Sequence, residues 1–176
     1  RDSAEAAANL SQGRELEWAY GRQVVAESAA MEYFDKHGGD LTEIATRAQG
    51  LIRPGGTHEN DVQVHQLLLE VKSKQIEQAK KEAIQNSKTP EEIEQAEAAA
   101  KQQSLEAYKQ FVQTATEAGQ GHVDLWQDSH AYDLLGRLQD QAAQLAEAAG
   151  SDIAKDHQAK SFDAKQKAFE LADQTA

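Results

Sequence analysis

The chain of 176 residues has no cysteine, two prolines, one methionine and only 6% aromatic residues. Without cysteine there is no disulfide frame, no thiolate nucleophile and no Cys-ligated zinc. Cytosol and an oxidising compartment both stay open. The scarcity of proline and of β-branched runs removes most of what opposes a helix, and Ala, Glu, Gln and Lys, all good helix formers, dominate. No apolar run nears the roughly 18 residues of a membrane span, so insertion of this segment into a bilayer is not expected. Basic charge is also in deficit, with 18 Lys and Arg against 30 Asp and Glu and a net charge of -12. Phosphate neutralisation requires clustered Lys and Arg, so nucleic acid is not an expected partner. The lysine-rich patches at 72–81 and 155–167 are interleaved with Glu, Asp and Gln and read as solvated helix faces.

What remains predicts an all-α protein, a bundle of five or six helices forming a single domain over 1–176. Hydrophobic residues make up 39% of the chain, and many are Ala, which buries little area, so the core should be thin and extended. Residues 1–13 read as a frayed N-terminal segment. A helix over 14–37 carries the stripe Leu16, Tyr20, Val24, Ser28, Met31 and Phe34, widened by Trp18 and Val25, and ends at Gly38-Gly39. Asp40-Leu41-Thr42-Glu43 is a capping-box pattern opening a short helix over 41–49, which Gly50 stops. Leu51 and Ile52 are an apolar plug ahead of Arg53-Pro54-Gly55-Gly56, through which no helix continues.

The clearest local signal is the turn Asn86-Ser87-Lys88-Thr89-Pro90. Thr89 suits an N-cap, Pro90 the first helical position and Glu92 the third. It predicts a long antiparallel hairpin over 57–119, its first helix running from about 58 to 85 and spanning about 42 Å. Near the turn both helices are poor in large apolar side chains, so the tip should project as a two-stranded coiled coil. The base, 67–71 and 105–112, belongs to the core. Gly119-Gln120-Gly121 reads as a break, followed by the most apolar helix, 123–149, and a last helix from about 153 to 172. Gly136, costing about 1 kcal/mol relative to Ala, marks a close helix contact or a weak point.

Candidate chemistry is sparse. His58, Asp61 and His65 fall on one helical face at a spacing that can ligate Zn or Fe; the blander alternative is exposed polar residues in a first helical turn. His122, Asp124, Asp128 and His130 form a second cluster that needs another helix to complete it. His157, on an apolar stripe, reads as a buried, hydrogen-bonded histidine. The two glycines before a helix N-terminus at Gly55-Gly56 could meet an anion, though no strand and no P-loop pattern precede them. No nucleophile elbow or Ser-x-x-Lys pattern appears. Trp18, Trp126 and Tyr132 are candidate anchors for a protein partner.

The expected function is therefore a non-catalytic helical module for protein-protein interaction or structure, within a larger protein of a surface, secretion or transfer kind. A protein partner is expected, and a second copy of the chain is admitted. The alternative is a helical metal-binding protein or metal-dependent enzyme using His58, Asp61 and His65.

Overall fold

A computed structural model describes residues 14–37, 40–56 and 58–174, with 14–24 and 35 as backbone alone. The elements are α1 (Arg14–His37), α2 (Thr42–Leu51), α3 (Val62–Gln85), α4 (Pro90–Ala107), a π-turn (Tyr108–Val112), α5 (Gln113–Trp126), α6 (Ser129–Ala148) and α7 (Ile153–Gln174). The described residues contain no strand, and α4, the π-turn and α5 run on continuously. The all-α expectation therefore holds. The chain divides after Ile44, inside α2, into two compact units.

In the first unit Met31, Leu41 and Ile44 are buried, whereas Val25 is 69% exposed, so Val25 does not widen a covered stripe. Trp18 lies outside the described side chains. The Asp40 carboxylate accepts from the Thr42 amide at 2.8 Å, and the Thr42 hydroxyl and amide hold its pKa below the usual carboxylate value. Gly50 does not stop α2, which continues to Leu51.

In the second unit α3 and α4 form the expected hairpin. Asp61, not His58, sets the start of α3: its carboxylate accepts from the amides of Gln63 and Val64. At the turn Thr89 accepts from the Glu92 amide at 3.2 Å, while the Glu92 carboxylate accepts from the Lys88 amide at 2.7 Å. Val64, Leu67, Leu68, Leu69 and Val71 on α3 and Ala100, Ala107, Phe111 and Val112 on the other limb are buried. Between residues 77 and 99 none is.

The expected break at Gly119-Gln120-Gly121 is absent. The helix runs through it to Trp126 and turns at Gln127, a left-handed residue with φ of 50°, before Asp128 caps α6 by accepting from the Ala131 amide. The reason lies in packing: a Cβ at Gly119 would stand 2.8 Å from Leu138 Cδ1 and 2.9 Å from Leu135 Cδ1, so this glycine lets α5 lie close on α6.

α6 and α7 pack antiparallel along most of their length, through Ala131, Ala142 and Ala143 on one and Ala154, Ala164 and Ala168 on the other, among the buried residues. Gly136 is a close contact, not a weak point. A Cβ there would meet Lys165 Cγ at 2.8 Å, and its carbonyl lies 2.9 Å from the Ser161 hydroxyl. α6 also packs on α3, α4 and α5, which makes it the central rod of the unit.

Substituting Gly119 tests this packing. Helix propensity favours any other ordinary residue by up to about 1 kcal/mol, but Gly119→Val must displace two leucine methyl groups in a filled core. We expect a net loss of about 1–3 kcal/mol by urea unfolding; an unchanged or raised stability would show that α5 does not lie this close.

Candidate functional site

The loop 53–61 is organised by its own hydrogen bonds. Gly55, with φ of 77°, donates its amide to the Glu59 carboxylate at 3.1 Å, and Gly56 donates to the Arg53 carbonyl at 3.0 Å. With Asp61 occupying the amides of Gln63 and Val64, the chain supplies its own anions at both the glycine loop and the helix N-terminus. An external phosphate has no amide left to meet at Gly55.

The expected ligand trio does not assemble. His65 is 2% exposed, and its Nε2 lies 2.6 Å from the Glu59 carbonyl. A carbonyl only accepts, so Nε2 carries the proton and is committed as a donor. Burial lowers the His65 pKa, against the opposing pull of the Glu59 carbonyl and the carboxylates of Asp61 and Glu59. Asp61 is engaged in capping. Among the described residues no group of three or more His, Asp or Glu is arranged to hold a metal ion.

The structure instead draws members of both histidine clusters to one open cleft of about 490 Å³, lined by His58, Glu59, Asp61, His122, His130 and Leu134 among others. In the second cluster Asp128 caps α6, and Asp124 accepts from the Gln120 side chain at 2.9 Å. The His122 ring stands 6.2 Å from that of Trp126. Sequence spacing separates these histidines by more than sixty positions from His58, so only the packing of α5 and α6 against the start of α3 reveals the cleft.

A second polar cluster, centred on α7, was legible only at His157. Its Nδ1 lies 2.6 Å from Gln139 Oε1 and its Nε2 2.5 Å from the Tyr108 hydroxyl. Because the amide oxygen accepts, Nδ1 holds the proton and the tyrosine donates to Nε2, a neutral tautomer. Burial lowers the His157 pKa, helped by Lys160 and opposed by Asp156, and burial raises that of Tyr108, so both groups keep the required protons. The π-turn begins at Tyr108, and its inserted residue re-aims this part of the helix. Beside it the Ser161 hydroxyl lies 2.5 Å from Asp140 Oδ1, and Lys165 pairs with the same carboxylate. Ser161 is 3% exposed and anchored between two acceptors, so it is a structural hydroxyl and not a nucleophile.

Large apolar side chains are exposed elsewhere: Leu125 at 75%, Trp126 at 60%, Phe162 at 69% and Phe169 at 75%. Phe162 and Phe169 are seven apart and share one face of α7. The Ser129 hydroxyl donates to the Ala168 carbonyl at 2.8 Å, which ties the α5–α6 turn to the last turns of α7. Trp126 and Phe169 thereby lie at the same end of the α6–α7 pair. Tyr132 differs, being half-buried against Val123, Ala131, Leu135 and Ala164. No helix among the described residues is long and apolar enough to cross a membrane.

Neither family models, curated proteins nor solved structures offer a match to this chain.

The two lowered histidines give a pH dependence. Both resist protonation in the folded state, so unfolding takes up protons once the pH falls below the ordinary histidine value of 6.5. Their contribution is complete above that value and is lost as the pH falls from it through the depressed folded pKa values. Urea unfolding over this window should show stability falling with acidification, and a smaller slope in His65→Gln and His157→Gln. Equal slopes in all three proteins would contradict neutral burial.

Proposed function

We propose that the chain is a non-catalytic helical interaction module whose partner protein is held by the aromatic end formed by Leu125, Trp126 and Phe169. The observation that carries this reading is the exposure of these side chains in a sequence with only two Trp and four Phe. A large apolar side chain left in water forgoes roughly 1.5–3 kcal/mol of transfer free energy, which a partner that covers it recovers. Trp is the residue type most enriched among interface anchors, and those anchors work by being desolvated. The short αL turn at Gln127 and the Ser129–Ala168 hydrogen bond hold Trp126 near a rigid helix pair, which lowers the ordering entropy of binding.

The test compares captured proteins for wild type, for Trp126→Ala/Phe169→Ala, and for a chain whose segment 75–103 is replaced by a tight helix-to-helix turn. All three should keep helical circular dichroism and cooperative unfolding. The reading expects the main captured protein to be lost, by at least about tenfold in affinity, in the aromatic variant and kept in the shortened one. Equal capture by the aromatic variant would move the binding surface away from this end.

A further inference from the structure

The hairpin's outer half carries a different surface. α6 lies on both α3 and α4 as far as Ala148, and the cleft where it stops, about 370 Å³, is walled by Ser73, Ile76 and Lys80 of α3, Glu97 and Ala100 of α4, and Leu145 of α6. Beyond it the groove between the two helices continues with no further described element of the second unit over it. Ile76 and Ile84 are half-buried, Ile93 is 37% exposed, and no residue from 77 to 99 is fully buried. On the same wall the Ser73 hydroxyl is buried with no hydrogen-bond partner among the described residues.

The two limbs also differ in charge. Residues 73–88 hold four Lys against two Glu, a net of +2, and residues 90–104 hold four Glu against one Lys, a net of -3. Yet Lys80, Lys81, Glu94 and Glu97 make no ion pair among the described residues. The arm is a basic helix beside an acidic one in a chain that is otherwise strongly acidic.

We infer that this arm pairs with the arm of a second copy of the chain, α3 of each lying on α4 of the other. A two-fold axis permits that exchange, an isologous contact of residue i with residue j being matched by j with i, and the opposite charges of the two limbs favour it over like limb on like limb. It sets basic limb against acidic limb twice over and extends the line of α6 with helices that cover Ile76, Ile84 and Ile93. The arm offers a face on the order of 400 Å² per copy, about half that of a standard interface, so the dimer is weak and sensitive to salt. The site is separate from the aromatic end proposed above for a partner protein.

Sedimentation equilibrium tests it with the whole chain. At low ionic strength, wild type should show reversible monomer–dimer exchange in the micromolar to sub-millimolar range, weakened about tenfold or more by half-molar salt. Lys80→Glu/Lys81→Glu and Glu94→Lys/Glu97→Lys, all at exposed positions, should each be monomeric alone and should associate when mixed. Trp126→Ala/Phe169→Ala should dimerise as wild type does, which keeps this result separable from loss of the partner protein. Wild type that stays monomeric at low salt to sub-millimolar concentration, or charge variants that self-associate as strongly as wild type, would overturn the inference.

Discussion

The second unit depends on how closely helices can approach α6. Gly119 on α5 admits Leu135 and Leu138 of α6, while Gly136 within α6 admits Lys165 and the Ser161 carbonyl from α7. A chain rich in Ala cannot fill wide gaps between helices, so it must bring its backbones together, and each small residue at a crossing lets dispersion contacts accumulate at short range. Leu138 and Leu145, almost fully buried, are the large side chains this arrangement encloses. Where α6 ends at Ala148 the enclosure ends too, and the hairpin beyond it has only its own thin seam.

Close packing by small residues is weakly directional, and the polar contacts on α7 supply direction. Tyr108, His157 and Gln139 satisfy one another's hydrogen-bonding groups in a single proton arrangement, and Ser161, Asp140 and Lys165 do the same one helical turn away. A sliding of α7 along α6 by a turn would strand Gln139, His157 and Ser161, which are buried. Unpaired buried polar groups cost about 1–3 kcal/mol each, enough to select one register among several that bury similar apolar area.

Local features were legible in the sequence where a single residue type determines backbone geometry. Thr89, Pro90 and Glu92 specify the hairpin turn because their side chains and ring satisfy or remove the free amides of one helix end, an effect confined to four residues. The core base of the hairpin at 67–71 and the apolar helix over 123–149 were legible for a similarly local reason, the run of apolar residues itself. What failed depended on distant partners. Gly119 carries no mark that distinguishes a hinge from a site of close approach; only Leu135 and Leu138 do that. His58, Asp61 and His65 have a ligand-like spacing, but Glu59 and the capping of α3 decide how two of them are used. The shared cleft of His58, His122 and His130 arises from a crossing of α3 with α5 and α6 that no spacing encodes. Trp126 and Tyr132 looked alike as aromatic anchors near one helix start, and the αL turn at Gln127 separates them into an exposed and a half-covered ring.

The central claim is that, within the second unit, α6 sets the extent of the core and leaves the outer hairpin without a covering helix. Native-state amide hydrogen exchange on dilute protein tests it most directly. The account predicts the slowest exchange in α6 and in α3 from Val64 to Val71, with amides of 77–99 exchanging orders of magnitude faster through local opening of the arm. Uniform protection along the whole of α3 and α4, equal to that of α6, would contradict it.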